Sequence, residues 1–292
     1  MVVIFIPRPS TSTASGSDPT ELVRYLGVYE PDAPSSYADI DQFAQAVGRQ
    51  PNIVGYYGTW LEKFQTSFAT SAAQHGAVTL VQINTGSTSL ANIASGQYDS
   101  YWRSFADEVE AFGGQVILSI DHEMNGNWEA WGYEHQSPAA FVAAWRHVVT
   151  IFRKQGARNV TWLWTVNITD RLNDVTEPDA WWPGSSYVNL VGIDGYYYSP
   201  STVFSYLFGA TIADVRELTD DPILIAETGA AISADQAAKI GDLFLGVRTF
   251  GLSGFVLFDQ DGVKETQTWR ISSPAAYAVL RQDAKAYMKP AS

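Results

Sequence analysis

Eight short runs of β-branched and aromatic residues alternate along the chain with longer stretches of helical periodicity. Most of these runs are almost continuously apolar, which is typical of parallel strands that are buried on both faces. We therefore predict eight strands separated by helices. The predicted strands are Leu26–Glu30, Ile53–Gly58, Val78–Asn84, Gln115–Asp121, Val160–Val166, Val188–Tyr197, Pro222–Glu227 and Gly254–Gln260.

Helical patterns between these strands include Asp99–Phe112, Pro138–Gln155, Ser201–Leu218 and Ala234–Phe250. Ser137 and Ser233 have the character of helix starts, and Gly156 and Gly251 that of helix ends. The alternation predicts a single (β/α)8 TIM barrel of the α/β class. A doubly wound open sheet is the alternative. It would carry a glycine-rich turn after its first strand, where this chain has two prolines.

The start of the chain differs in composition from the rest. Its residues Pro9–Thr20 are rich in Ser, Thr and small side chains, which is typical of a flexible segment. No internal repeat or change of composition follows it. The sequence therefore predicts a flexible N-terminal tail at 1–22 and one catalytic barrel domain at 23–292.

Charge and composition exclude several classes of protein. The 18 Lys and Arg against 31 Asp and Glu give a net charge of −13 with no basic cluster, so we expect no nucleic-acid partner. The chain has no Cys, which excludes disulfides and thiolate chemistry. No apolar run approaches the roughly 18 residues of a membrane span, so we expect no membrane partner. Aromatic residues, at 13%, are more numerous than a core of this size requires.

Two glutamates end predicted strands of the barrel. Glu123 follows the fourth strand and Glu227 ends the seventh, so both point to the face where barrel enzymes carry their active sites. A pair of carboxyl groups supplies the acid and the second carboxylate that glycoside hydrolysis needs. The alternative is that either glutamate is structural and tied to a neighbouring Arg or backbone N–H.

Other chemistries lack their central residues. The pair His122-Glu123 begins like a zinc-protease H-E-x-x-H motif, but Gly126 stands where the second His belongs. The chain has four His without metal-ligand spacing, and it has neither a G-x-S-x-G elbow nor a P-loop. We expect no metal and no cofactor. His122, at a strand end beside Glu123, is expected to hydrogen-bond substrate rather than to fill the core.

The excess of aromatic residues has a location. Trp128 and Trp131 follow Glu123 on the same loop, Trp60 follows the second strand, Trp164 lies near the end of the fifth, and Tyr196 near the end of the sixth. Sugar rings have apolar faces that pack on such side chains. We therefore predict an oligosaccharide groove beside the two glutamates. Packing in the core is the alternative for each of these rings.

The segment that surrounds Glu123 resembles glycoside hydrolase family 26. The resemblance rests on Asp121–Trp128, Trp131-Gly132, Ala144–Arg146, Asn159–Trp164, Val191–Tyr196, Glu227–Gly229 and Trp269–Pro274. It implies a retaining enzyme on a (β/α)8 barrel, in most members an endo-β-1,4-mannanase. It also implies that Glu123 is the general acid/base and Glu227 the nucleophile.

The same resemblance implies substrate-binding roles for His122, Trp128, Tyr196 and Asp194. Tyr196 is expected to hydrogen-bond the nucleophile. One departure is Ser119, where members commonly carry Arg three residues before the active-site His. A second is Thr228, in place of the more usual aromatic residue after the nucleophile. Neither change removes a catalytic group.

The sequence thus predicts an extracellular, monomeric endo-glycosidase that cleaves β-mannan, although its first residues lack a signal-peptide pattern. Polysaccharides or oligosaccharides are the expected partners. Mixed-linkage β-1,3-1,4-glucanase (lichenase) and β-1,3-xylanase activities are the alternatives within the family. A carbohydrate-binding protein without catalytic activity is the alternative from another class, motivated by Ser119.

Overall fold

The structure is a computed structural model that describes residues 22–169, 175–232, 234–261 and 267–288. Eight parallel strands form one closed barrel in chain order, with β8 pairing back to β1. The strands are β1 (Tyr25–Tyr29), β2 (Ile53–Gly58), β3 (Val78–Ile83), β4 (Val116–Ile120), β5 (Val160–Asn167), β6 (Leu190–Asp194), β7 (Ile223–Thr228) and β8 (Gly254–Phe258).

Helices surround the barrel. Within the described ranges they are α1 (Ala38–Val47), α2 (Thr66–Gln74), α3 (Leu90–Ala94), α4 (Asp99–Phe112), α5 (Pro138–Gln155), α6 (Phe204–Leu218), α7 (Gln236–Thr249) and α8 (Pro274–Tyr287), with 3-10 turns at Asp179–Trp181 and Ser185–Tyr187. The predicted single (β/α)8 barrel is confirmed. Residues 1–21 of the predicted tail lie outside the described residues, so the division into tail and barrel domain stays a prediction.

The strand sequences are apolar on both faces because the barrel has two cores. Inside the barrel, Leu80, Leu163 and Leu224 belong to a small inner cluster. Outside it, alternate strand residues such as Val81 and Trp164 pack in the larger cluster between the strands and the helices. Both clusters exclude water, so even the large side chains of these strands are buried.

Local signals at the helix ends agree with the sequence in part. Ser137 caps α5 by accepting a hydrogen bond from the Ala140 N–H at 3.2 Å, and Gly156 ends this helix with a φ of 87°. The predicted helix start at Ser233 lies outside the described residues. Helix α7 has Asp235 as its cap, which accepts from the Ala238 N–H at 3.3 Å.

The closed barrel brings the C-terminal ends of all eight strands to one mouth. Neighbouring strands also set which side chains meet there. Gln82 of β3 is in register with Ser119 of β4, and a register shift between β6 and β7 places Asp194 opposite Glu227. No helix in the described ranges is long and apolar enough to cross a lipid bilayer.

Candidate active site

Buried polar side chains concentrate at the C-terminal ends of the strands. Glu123 follows β4 and is 8% exposed, and Glu227 lies on β7 and is 5% exposed. The other buried polar residues at these ends include Glu30, Gln82, Asp121, His122, Asn125, Asp194 and Asp259. Burying so many polar groups is unfavourable unless they are hydrogen-bonded, which makes this mouth the candidate active site.

Glu227 is held by three neutral donors from three other strands or strand ends. Its Oε1 accepts a hydrogen bond from the Tyr57 hydroxyl at 2.5 Å and another from Gln82 Nε2 at 2.7 Å. Its Oε2 accepts a hydrogen bond from the Tyr196 hydroxyl at 2.9 Å. Because an amide N–H can only donate, the Gln82 contact in particular favours the ionised carboxylate.

Opposing effects act on the pKa of Glu227. Burial, followed by the nearby charge of Glu123, raises this pKa to about 8, while the hydrogen bonds from Tyr57, Tyr196 and Gln82 lower it. Burial and the charge of Glu227 hold the pKa values of Tyr57 and Tyr196 well above the usual tyrosine value, so both hydroxyls stay protonated as donors. The two glutamates therefore favour a state with one proton between them near neutral pH.

Aromatic rings fix the two phenols that bind Glu227. The ring of Tyr29 stacks on Tyr57 with centroids 5.1 Å apart, and Tyr196 lies 4.5 Å from the Trp269 ring. The Tyr29 ring lies directly over Gly55 of β2, where any Cβ atom would run into it. The glycine is therefore required for the aromatic packing that orients Tyr57.

The turn that carries Glu123 has an unusual backbone. Asp121 and Glu123 have φ angles of 52° and 55°, in the left-handed region that non-glycine residues rarely adopt. Asp121 stabilises the turn because its carboxyl accepts from the Thr85 N–H at 2.7 Å and from the Thr85 hydroxyl at 2.8 Å. The Glu123 N–H donates to the Thr165 carbonyl at 2.9 Å. These contacts hold the turn against its strain.

The end of β5 and the loop that carries Glu123 itself supply the donors to its carboxyl group. Asn167 Nδ2 donates to Oε1 at 2.6 Å, and Trp128 Nε1 donates to Oε2 at 2.7 Å. Asn125 in turn bonds the backbone N–H and carbonyl of Asn167, each at 2.9 Å. The Trp128 ring folds back over Gly126, where a Cβ atom would collide with it. The short spacing between Glu123 and Trp128 thus has a direct geometric reason.

His122 lies between the two glutamates and the aromatic rings. Its Nδ1 is 3.2 Å from Oδ1 of Asn84, and its Nε2 is 3.8 Å from Oε1 of Glu227. Since Oδ1 can only accept, Nδ1 is inferred to donate a proton to it. Trp131 Nε1 donates to the His122 carbonyl at 2.7 Å and so holds this backbone in place.

One group of possible metal ligands exists among the described residues. It consists of His122, Asp194 and Glu227, whose ligand atoms all lie within 4.8 Å of one another. The oxygens of Glu227 already accept hydrogen bonds from Tyr57, Gln82 and Tyr196, donors that a cation at the same oxygens would have to displace. These donors fit an anionic carboxylate better than they fit a metal ligand.

The family comparison matches the segment that contains this site. The sequence model described as Glycosyl hydrolase family 26 matches residues 103–234, which include both Glu123 and Glu227. Over these residues the chain is similar to glycoside hydrolase family 26. The resemblance predicted from the sequence is thereby confirmed.

Related proteins match the chain over different shares of its length. Endoglucanase H of Acetivibrio thermocellus is 31% identical over 278 residues, which are 88% of this chain and 30% of that protein. Mannan endo-1,4-beta-mannosidase A and B of Caldalkalibacillus mannanilyticus is 28% identical over 130 residues, 42% of this chain and 23% of that protein. The chain thus spans less than a third of the length of either relative.

A solved structure shares the fold. A family 26 β-mannanase from Bacteroides ovatus matches with a TM-score of 0.68 at 16% identity, covering 91% of this chain and 90% of that one. At this level of identity the likeness supports the barrel fold alone.

The structure brings together Glu123, Glu227, His122, Trp128 and Tyr196 as the sequence predicts. Trp128 and Tyr196 each donate a hydrogen bond to one of the two glutamates. The contact between Tyr196 and Glu227 that the family resemblance implies is therefore present. The roles of these side chains in binding and catalysis remain predictions.

Three of the predicted substrate-binding residues are deeply buried in this structure, and their roles stay predictions. Trp131 is 3% exposed and Trp164 is fully buried, so neither ring is open to a sugar. Trp164 faces the helices and packs edge-on against Trp182 with centroids 4.9 Å apart. Asp194 is also fully buried, where burial and the charge of Glu227 raise its pKa well above the usual value. It is in register with Glu227 on the neighbouring strand.

Trp60 lies away from these contacts. It is half-buried in an aromatic cluster with Tyr98 and Tyr101, at 5.2 Å from each ring, and with Trp102. Tyr98 precedes α4, whose N-terminus lies on the same side of the barrel as the mouth. A role for Trp60 at a distant part of the groove stays a prediction.

Sequence reasoning missed Tyr57, Gln82 and Asn167, which all bond the two glutamates. A signal exists for Gln82, since it is the polar residue near the end of the mostly apolar strand β3. Tyr57 and Asn167 also lie at or near strand ends. All three lie in the last two positions of the observed strands, but with the predicted strand bounds only Tyr57 does.

Proposed function

We propose that the protein is a retaining endo-glycosidase that cleaves β-1,4-mannosidic bonds within mannan by double displacement. Glu123 is the general acid/base and Glu227 is the nucleophile. The observation that carries this proposal is the asymmetry of the pair. Glu227 accepts from three donors that favour its ionised form, whereas Glu123 accepts from two, Asn167 and Trp128, and lies within the electrostatic reach of Glu227.

In the first step, a Glu227 carboxylate oxygen bonds to the anomeric carbon. The bond between this carbon and the glycosidic oxygen breaks, and that oxygen takes the proton of Glu123 as the shortened chain leaves. The product is a glycosyl ester of Glu227 and an ionised Glu123. The charge that Glu227 loses no longer opposes ionisation of Glu123, so Glu123 changes from general acid to general base without an outside proton.

In the second step, a water molecule attacks the anomeric carbon. Glu123 takes a proton from this water as the new C–O bond forms, and the ester bond to Glu227 breaks. The sugar is released with its original anomeric configuration, Glu227 is again a carboxylate, and Glu123 is again protonated. Hydrogen bonds from Asn167 and Trp128 hold Glu123 in place through both steps.

Product analysis on a substrate panel tests the proposed activity. The purified chain is incubated with β-mannan, galactomannan, lichenan, β-1,3-xylan and β-1,4-xylan, and the products are sized. We expect short oligosaccharides from mannan at early times, as internal cleavage requires. The Glu123→Ala and Glu227→Ala variants serve as controls for contaminating enzymes. Release of no fragments from any of these polymers would contradict the proposed hydrolase and favour a binding protein without catalytic activity.

The stereochemistry of the first product tests the mechanism. Proton NMR during hydrolysis distinguishes retention from inversion before the free sugar mutarotates. Double displacement predicts that the β-anomer forms first. Initial appearance of the α-anomer would contradict a nucleophilic role for Glu227 even if the enzyme is active.

A second candidate substrate is a mixed-linkage β-glucan. A relative named as an endoglucanase matches 88% of this chain at 31% identity, a longer match than the mannosidase relative at 42% of the chain. Ser119, in place of the usual Arg, is a further departure from the common family pattern. Faster cleavage of lichenan than of mannan in the panel would select this candidate, and β-1,3-xylan is the third possibility within the same chemistry.

The proposed substrates also bear on where the protein acts. Long polysaccharides do not cross cell membranes, so we propose that the protein is extracellular and works as a monomer. Its negative charge does not oppose binding of a neutral polymer. Fractionation of a native culture and sedimentation of the purified chain test these two points.

A further inference from the structure

The two oxygens of Glu227 are held differently. Oε1 accepts from both Tyr57 and Gln82, at 2.5 and 2.7 Å, whereas Oε2 accepts from Tyr196 at 2.9 Å. A carboxylate oxygen has two lone pairs in the plane of the group. Both lone pairs of Oε1 are therefore engaged by donors from β2 and β3, while Oε2 keeps one for another partner.

Burying the polar side chain of Gln82 at this position is energetically unfavourable. It is fully buried on β3, and its neighbour in register on β4 is the small residue Ser119. Its amide also approaches the Tyr29 hydroxyl, yet neither that hydroxyl nor Oε1 of Gln82 has a well-formed hydrogen bond within the described ranges. A buried carbonyl without a partner is destabilising, so the fold tolerates it in exchange for the bond from Nε2 to Glu227.

The amide has only one orientation that suits an ionised Glu227. Turning the group over would bring its carbonyl oxygen to the carboxylate oxygen, two acceptors without a proton between them. The observed orientation therefore matches a negatively charged Glu227. Tyr57 adds a second neutral donor at the same oxygen, and its hydroxyl remains protonated because burial raises its pKa.

We propose that Gln82 is a positioning residue that, together with Tyr57, anchors Oε1 of Glu227, so that Oε2 is the oxygen that bonds to the anomeric carbon. This inference rests on the proposed retaining mechanism. When the glycosyl ester forms, Oε2 becomes the ester oxygen and Oε1 becomes the carbonyl oxygen, which still accepts both hydrogen bonds. Neutral donors suit this change, because they lose less interaction energy than a cation would when the carboxylate loses its charge.

A trapped intermediate tests the geometry directly. A 2-deoxy-2-fluoro glycoside with a good leaving group, built on the sugar that the enzyme hydrolyses, should esterify Glu227 and slow the second step. In the crystal structure of this ester we expect the sugar on Oε2, with Gln82 Nε2 and the Tyr57 hydroxyl still within hydrogen-bond distance of Oε1. A sugar on the oxygen that faces Gln82 and Tyr57 would overturn the inference.

Kinetics of the Gln82→Met variant test the positioning role. Methionine keeps the length of the side chain but has no N–H donor. We expect kcat to fall about 10- to 100-fold with little change in KM, since the nucleophile is misplaced while the sugar contacts remain. Loss of a donor to the charged form should also raise the pKa of Glu227 and move the acidic limb of the kcat/KM profile to higher pH.

Thr79→Val on the same strand is the matched control. Thr79 is also buried on β3, and its hydroxyl has no hydrogen-bond partner in the described parts of the chain. We expect this variant to keep the wild-type kcat and pH profile. If Gln82→Met behaves in the same way while the wild type hydrolyses a glycan, the inference is wrong and the proposed function stands. If the wild type hydrolyses no glycan, the proposed function itself fails.

Discussion

The mouth of the barrel carries two pairs of carboxyl groups, and they are bonded in opposite ways. Glu123 and Glu227 accept hydrogen bonds from neutral side chains on other strands and loops. Glu30 and Asp259, at the ends of β1 and β8, hydrogen-bond each other. The adjacent residues of these two strands, Tyr29 and Phe258, are in register, which keeps the second pair side by side.

The second pair also forms a hydrogen bond to the backbone of a neighbouring loop. Asp259 accepts from the Ile271 N–H at 2.6 Å, on the loop that also carries Trp269. Trp269 packs against Tyr196, the donor to Oε2 of Glu227. The two carboxyls that hydrogen-bond each other thus connect the ends of β1 and β8 to the loop of Ile271. Two carboxyls held by separate neutral donors keep their proton and their charge available for a substrate.

Removing one carboxyl group from each pair should show the largest difference between the two pairs. Glu227→Gln and Glu123→Gln are each expected to lower turnover by more than about 10³-fold, because each removes a group that forms a bond or transfers a proton. Glu30→Gln should leave turnover nearly unchanged, since an amide can still donate to Asp259. The measurement is kcat on the preferred glycan, with circular dichroism to verify folding. A comparable loss in Glu30→Gln would assign the second pair to catalysis.

The pH profile should respond to the donors on Glu227. Tyr57→Phe removes a hydrogen bond that lowers the pKa of this carboxyl. The pKa should therefore rise, and the acidic limb of kcat/KM should move to higher pH with a loss of about tenfold near pH 6. Tyr101→Phe is the control, because the buried Tyr101 hydroxyl has no partner among the described residues. An unchanged limb in Tyr57→Phe would show that this hydroxyl does not act on the nucleophile.

The second pair should instead govern stability. Burial, followed by the charge of Asp259, raises the pKa of Glu30 from 4.5 to about 9, and the charges of Asp39 and Arg270 and the Tyr277 hydroxyl also face the pair. A folded pKa above the unfolded value stabilises the protein fully below the unfolded pKa. That contribution is lost as the pH rises from about 4.5 through about 9.

We therefore expect the melting temperature to fall between pH 5 and pH 9, and to fall less in Glu30→Gln. At pH 8 the variant should melt a few degrees higher than the wild type, at about 2–4 °C per kcal/mol for a large domain. At pH 5 the two should nearly coincide. Parallel curves for the two proteins across this range would rule out Glu30 as a source of the pH dependence. Thermal scans in buffers of constant ionic strength supply the measurement.

The smallest expected effect concerns the backbone. Glu123 has a φ of 55°, whereas neither Glu30 nor Asp259 has a positive φ. Asparagine tolerates the left-handed region better than alanine does, so Glu123→Asn should be more stable than Glu123→Ala by about 1 kcal/mol. No such difference is expected between Glu30→Asn and Glu30→Ala from backbone strain. Chemical denaturation of the four variants compares them, and equal stability of the Glu123 variants would show that the turn is not strained.

The sequence predicted the barrel well because parallel strands buried on both faces form continuous apolar runs. The prediction of Val188–Tyr197 was too long, since β6 spans Leu190–Asp194. Beyond it, Tyr196 bonds Glu227, and Tyr197 packs in the outer core. Glu123 and Glu227 were found because a charged residue at the end of an apolar run is conspicuous. Trp164 was misplaced because the side of a strand on which a ring lies depends on strand parity and barrel closure.

Gln82 was harder to predict for a different reason. It donates to a residue 145 positions away, and only the closed order of the strands brings β3 and β7 to the same carboxylate. The pattern of one strand indicates that a polar group is buried there, but it does not indicate which group it binds. Contacts across the barrel therefore could not be predicted from the sequence. Residues within one loop, such as Glu123 and Trp128, could be predicted to lie close together.

Gly55 shows how far the mutational sensitivity of the site extends. It has no functional group, yet a single methyl group at this position would collide with the Tyr29 ring that stacks on Tyr57. In a library of random substitutions, variants at Gly55 should be depleted together with those at Glu227 when selection is for activity. Recovery of activity would then require a smaller residue at Tyr29, so that two positions without chemistry constrain each other's evolution.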